Sequence, residues 1–334
     1  MRNYFYVAIF AIAICIFSAC EKQVLDVVDS DEMYTVQLGW SGDLDVTYEA
    51  MTKSHDTENL YGIQVYSCPL IAHETVWTPY AHGIFGSTDD LSVSLLKGYK
   101  YRFVATMVVD GKTKVFSYEN GYYFPFFVGG TNNAFPVLNN TFNYTSTDFM
   151  DCLKNGKTTL SNRKEYLVPN TERYYGELDD FVPSKHNAKA KIHMKRVAFG
   201  AKFIVKGKLA ESGTVVAQID NAPELSINLK ERDKQVSDKF TFVNVKTAWE
   251  DNSFRENYNV YLSWVKDNGV TVPLGTHSIE FKRNATTVVH INIDEDGFCG
   301  GLGIEYDEIG NMETGHEVVI QDGEIVDTEL DTNC

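Results

Sequence analysis

Short runs in which apolar and polar residues strictly alternate constrain this chain more than any other feature. Tyr101, Phe103, Ala105, Met107 and Val109 alternate with Arg102, Val104, Thr106 and Val108. Tyr258, Val260, Leu262 and Trp264 alternate with Asn259, Tyr261 and Ser263, and Ile63 with Val65 and Val289 with Ile291 and Ile293 keep the same period. A period of two sends successive side chains to opposite faces, so each run gives an apolar face as a strand and none as a helix. The aromatic and β-branched residues in these runs suit a pleated surface. Turn dipeptides separate them: Asp110-Gly111, Gly129-Gly130, Asn155-Gly156, Asn268-Gly269 and Asp322-Gly323. Helical spacing is scarce, and Asp148–Leu153 and Lys230–Lys234 are the two short stretches that admit a helix. With 334 residues, about two domain lengths, the expectation is an all-β chain of two sandwiches.

The division between them is sought in Ala190–Val205, AKIHMKRVAFGAKFIV. Apolar residues fall on even numbers at Ile192 and Met194, then on odd numbers from Val197 through Val205. A one-residue change of phase flips the inward face, so a bulge or bend is expected near Lys195-Arg196. The acidic stretch and Pro183 just before it place the expected boundary between 34–182 and 183–334.

At the N-terminus, Arg2 precedes the apolar run Val7–Phe17 and then Phe17-Ser18-Ala19-Cys20. Eleven apolar residues fit the core of a signal peptide and fall short of the roughly 20 that span a bilayer. Small residues before a cysteine resemble a bacterial lipobox, which implies that residues 1–19 are removed and Cys20 carries the lipid, palmitate included. Residues 20–33 then read as an acidic tether to an outer membrane. Cys68, Cys152, Cys299 and Cys334 remain; four cysteines allow three pairings, and no CxxC spacing suggests zinc.

Charge argues against a nucleic-acid partner. Forty-six acidic residues against 30 basic ones give −16, whereas phosphate binding needs a basic face. The acid is unevenly placed: residues 294–334 hold thirteen Asp or Glu and no Lys or Arg. Residues 181–293 carry an excess of six positive charges, so tail and second-domain body are of opposite sign.

Catalytic patterns fail one by one. His73-Glu74 lacks the second histidine of HExxH, since Trp77 stands there, and Gly301-Leu302-Gly303 lacks the third phosphate-loop glycine at Tyr306. No GxSxG occurs, and neither an enzyme nor a cofactor is expected. Asn292, Asp294 and Asp296, followed by Gly297, match the front of a calcium loop, but Gly303 replaces its bidentate glutamate; an acidic turn after a strand is the plainer reading. Tyr122, Tyr123, Phe124, Phe126 and Phe127 form an aromatic cluster that reads either as a platform for a sugar or as packing against a core or between domains.

Several strand motifs follow in a familiar order: Tyr34–Leu38, Asn59–Ser67 (NLYGIQVYS), Arg173–Leu178 (RYYGEL), Met194–Phe203 (MKRVAFGAKF) and Phe281–Asn284 (FKRN). Together with the lipobox, they resemble the fimbrillin superfamily of Bacteroidetes, the fimbrial subunits and their surface lipoprotein relatives. The resemblance implies two tandem transthyretin-like sandwiches and a role as structural or anchoring subunit of a type V-like fimbria that contributes to adhesion. It also implies head-to-tail assembly with other fimbrial subunits or with itself. In that assembly a protease cuts after the first strand, and a segment of a neighbour fills the groove left behind. The one basic residue placed for such a cut is Lys53, in Met51-Thr52-Lys53-Ser54, where the family more often has Arg. His316–Leu330 is the expected donor, or else a hairpin of the second sandwich. The alternative function is a non-polymerising surface lipoprotein that binds glycans or host ligands.

Overall fold

The computed structural model describes residues 32–43, 58–88, 91–206 and 212–293, and the backbone of four short strands beyond residue 300. Cys20 and Lys53 lie outside the described residues. The chain is almost entirely β.

The first body is built on an eight-stranded sheet with three two-stranded sheets beside it. Its long strands are β1 (Met33–Gly42), β2 (Leu60–Pro69), β3 (Thr78–Phe85), β4 (Ser92–Leu96) and β5 (Tyr99–Val108). A short helix α1 (Gly111–Lys114) and seven two-residue strands follow: β6 (Ser117–Tyr118), β7 (Gly121–Tyr122), β8 (Val128–Gly129), β9 (Asn143–Tyr144), β10 (Phe149–Met150), β11 (Thr158–Thr159) and β12 (Glu165–Tyr166). Then come β13 (Arg173–Phe181) and β14 (Lys189–Arg196), and the sheet order is β4-β1-β14-β13-β5-β2-β3-β9. The sheet folds over so that its ends cover one core. Val36 and Leu38 of β1 and Val93 and Leu95 of β4 are buried with Ile63, Val65, Phe103, Ala105 and Met107. Where the ends meet, Tyr80 Oη donates to the Ser94 carbonyl at 2.8 Å, and the Ser94 N–H donates to Tyr144 Oη at 3.0 Å. Side-chain hydroxyls thus occupy backbone groups that an edge strand would otherwise leave open.

The second body is a two-sheet sandwich. It contains β15 (Ala198–Lys206), β16 (Thr214–Ile219), β17 (Glu224–Asn228), β18 (Gln235–Thr241), helix α2 (Val245–Glu250), β19 (Arg255–Val265), β20 (Thr271–Lys282) and β21 (Ala285–Asn292). Beyond it lie β22 (Gly301–Leu302), β23 (Glu313–Thr314), β24 (Val319–Gln321) and β25 (Glu324–Val326). The facing sheets run β18-β15-β21-β23 and β17-β16-β19-β20, while β22, β24 and β25 form a small sheet of their own. In β19 the expected row Tyr258, Val260, Leu262 and Trp264 is buried, and Asn268-Gly269 makes the turn into β20 with Gly269 at φ +82°.

Two expectations change. The phase shift at Arg196-Val197 is a change of sheet and not a bulge: β14 completes the first sheet, and β15 opens the second. Ile192 and Met194 therefore face the first core, while Phe199, Ala201, Phe203 and Val205 face the second. By sheet membership the chain passes from the first sheet to the second at Val197, one strand beyond 182/183. Neither expected helix forms. Phe149-Met150 pairs with β8, and the Met150 N–H donates to the buried Gln64 Oε1 at 2.6 Å. At Lys230 the N–H is taken by the Asn228 side chain at 3.0 Å, which favours a turn. Strands β24 and β25, on either side of residues 322 and 323, are antiparallel partners.

Candidate functional site

Three structural features bear on function, and the first is the seat of β1. Its first half pairs antiparallel with β4, from Met33↔Leu96 to Gln37↔Ser92. Its second half pairs parallel with β14, from Gln37↔Lys189 to Gly42↔Met194. Val36, fully buried, and Leu38 drop into the core, so β1 is an internal strand held by two ladders and two apolar anchors. Taking it out would leave a strand-wide slot between β4 and β14.

The second feature is the joint between the bodies. Just past β1, Asp43 Oδ2 accepts from the Arg196 N–H and from Arg283 Nη1, each at 3.0 Å. Arg283 Nη1 also donates to the Arg196 carbonyl at 2.9 Å. The Arg196 side chain meets Glu172 at 2.8 Å and donates to Asn284 and to Tyr174 Oη. Lys239 of β18 reaches the same Glu172 at 2.5 Å. Burial pushes the Glu172 carboxyl up, but Arg196 and then Lys239 outweigh it and hold the pKa below its ordinary 4.5. Helix α2 docks alongside: Trp249 Nε1 donates to the His193 carbonyl at 3.1 Å, and Lys246 pairs with Glu177 at 3.2 Å. The motifs RYYGEL, MKRVAFGAKF and FKRN therefore converge here. Within the first of them, Arg173 is fully buried and donates to Thr106 Oγ1 and to the carbonyls of Leu153 and Asn155.

The third feature is an aromatic ladder on the long excursion between β5 and β13. Of the expected cluster, Tyr122 and Phe126 belong to the buried core and present no platform. Tyr123, Phe124 and Phe127 are half-buried and continue into two rings from outside the run. Ring centroids step from Phe116 to Tyr123 (4.8 Å), to Phe135 (3.8 Å, stacked), to Phe127 (5.6 Å) and to Phe124 (5.2 Å). Cations stand at both ends, Arg163 over Phe116 at 5.2 Å and Lys157 over Phe124 at 4.2 Å. Glu119 and Asn120, both at positive φ, turn β6 back onto β7 and bring Phe116 beside Tyr123. The Asn120-Gly121 dipeptide is the sequence signal that marks this hairpin.

The remaining expected residues separate. Asn292 ends β21, whereas Asp294 and Asp296 lie outside the described residues. Among the described residues no three His, Cys, Asp or Glu side chains are grouped to hold a metal. Among the described residues Cys68 and Cys152 form no disulfide, and Cys299 and Cys334 lie outside them.

No family model matches the chain, and no curated protein matches it in sequence. Solved structures do resemble it, and among them are proteins of Bacteroides named as candidate adhesins or polysaccharide-binding proteins and fimbrial proteins of Porphyromonas gingivalis. The fimbrial anchor protein Mfa2 of Porphyromonas gingivalis is 7% identical, with a TM-score of 0.35 over 89% of this chain and 100% of that one. The C-terminally truncated tip fimbrial protein Mfa3 of the same organism is 9% identical, with a TM-score of 0.30 over 82% and 97%. A Bacteroides ovatus protein named as a candidate adhesin is 11% identical, with a TM-score of 0.41 over 87% and 96%. Overlaps this loose carry no function across by themselves.

Proposed function

We propose that this protein is a structural or anchoring subunit of a cell-surface fimbria and contributes to adhesion, held to the outer membrane through a lipid on Cys20. The observation that carries the reading is the seat of β1. A ten-residue internal strand lies between the acidic tether and the segment containing Lys53. Cleavage at Lys53 would detach β1 covalently from everything after it. Its departure would leave the inward edges of β4 and β14 unpaired and the pockets of Val36 and Leu38 empty. An extended segment of a neighbouring subunit that alternates in the same phase would restore both ladders, with backbone hydrogen bonds giving affinity and the two pockets fixing register. The transthyretin-like assignment of both bodies belongs to this same reading.

N-terminal sequencing of the protein from intact cells tests it. A chain beginning at Ser54 marks a polymerising subunit, and an acylated Cys20 ahead of an intact β1 marks an anchor. Truncation after Gly315 then asks whether the C-terminal segment is the donor. Loss of polymers with a folded monomer supports donation, and an unfolded monomer assigns β24 and β25 to their own subunit.

The aromatic ladder favours a second reading, a surface protein that binds saccharides. Half-buried rings backed by a packed core are rigid faces on which pyranose C–H groups stack. Tyr123→Ala, with Phe135→Ala beside it, should weaken retention on polysaccharide, measured by pull-down.

A further inference from the structure

A cleft of about 450 Å³ opens at the Phe116 end of the ladder, lined by Phe116, Tyr118, Tyr123, Thr159, Arg163 and Glu165. We propose that it binds a carboxylate-bearing saccharide, such as a uronic or sialic acid residue, through Arg163.

Two hairpins form its walls. The first is β6–β7 with Phe116, Tyr118 and Tyr123; the second is β11–β12, whose tip carries Arg163. The Phe116 N–H donates to the Thr159 carbonyl at 2.8 Å and locks one hairpin to the other. The turn that carries Arg163 is held at its backbone: the Arg163 backbone N–H donates to the Leu160 carbonyl at 2.8 Å, and the Asn162 side chain takes the Lys164 N–H at 2.9 Å. Its guanidinium lies over the Phe116 ring and has no hydrogen bond or carboxylate partner among the described residues. The single acid in the cleft, Glu165, is already paired with Lys157 at 2.8 Å. The local balance is therefore one uncompensated guanidinium beside aromatic faces, on a chain whose net charge is −16.

That combination selects the ligand class. A planar fork of N–H donors matches a carboxylate in bidentate geometry, and stacking on an aromatic ring preorganises it. Tyr118, 60% exposed, and Tyr123 supply ring faces for the sugar body. An acidic peptide fits less well, because two backbone donors that line the cleft are already used. The Tyr123 N–H goes to the Phe116 carbonyl at 3.1 Å and the Thr159 N–H to the Phe124 carbonyl at 3.0 Å, so neither meets a peptide carbonyl.

The inference rests on the saccharide reading and is tested apart from it. The purified protein is applied to an array of oligogalacturonates, their methyl esters, and sialylated and desialylated lactose. Binding to the acids about tenfold tighter than to their neutral counterparts is expected. Arg163→Gln should bring acids down to the neutral level and leave neutral binding unchanged, while the exposed Tyr118→Ala should weaken both alike. Equal binding of acids and neutral counterparts, with Tyr118→Ala still weakening it, overturns the acid assignment and leaves the saccharide reading standing. Absence of binding to every member of the array overturns both.

Discussion

Arg173 shows what a single side chain does in this molecule. Burial pulls its pKa down to about 10, still far above neutral, so the cation enters the core protonated. Among the described residues no carboxylate meets it; two backbone carbonyls of the β5–β13 excursion and Thr106 do, and they tie that excursion to the sheet. Arg173→Met removes the charge but leaves buried acceptors unmatched, and should cost about 3 kcal/mol in a denaturant titration. Arg173→Lys should recover little, since one ammonium cannot reach both carbonyls as a fork does. Glu172 beside it acts through pH. Its folded pKa is depressed below 4.5, so its contribution is complete above pH 4.5 and is lost as pH falls through the lower folded value. Stability measured across that acid window should fall less steeply in Glu172→Gln than in the parent.

Among the elements, the β6–β7 hairpin holds a side chain where glycine would suit better. Glu119 is exposed and sits at φ +50°, a region that costs an L-residue energy. Glu119→Gly should raise the urea midpoint, by about 0.5–1 kcal/mol in stability, and leave the ladder in place. Strands were legible where alternation is long, as in β5 and β19, because burial on a pleat writes its period directly into the residues. The crossover at Val197 was not, since a change of phase looks the same whether a strand bulges or leaves for another sheet. Local order records which way a side chain faces, not which strand lies beside it. The ladder was half legible for the same reason. Tyr123, Phe124 and Phe127 stand in one run, but Phe116 and Phe135 arrive across turns.

At the scale of the whole molecule, two bodies share an apolar cluster and are pinned by polar groups that come from both ends of the described chain. Asp43 follows the first strand, and Arg283 sits between β20 and β21. A double-mutant cycle of Asp43→Ala and Arg283→Met should show a coupling of about 1–2 kcal/mol, and Asp43 paired with a distant exposed lysine such as Lys230 should show none. Nothing local marks Asp43, Glu172, Arg196 and Arg283 as neighbours, because their meeting depends on the crossover.

The parallel pairing of β1 with β14 has a mechanical consequence. Force applied through the residues before Glu32 pulls on the starting end of β1. The second body resists through the finishing end of β14, at Arg196. The two pulls run along the strands in opposite senses, so the ladder from Gln37↔Lys189 to Gly42↔Met194 is loaded in shear, all its bonds at once, and not peeled pair by pair. Under tension the molecule should therefore yield late and abruptly, at a force set by its unfolding barrier. The same strand would leave readily if freed at its far end and drawn the other way.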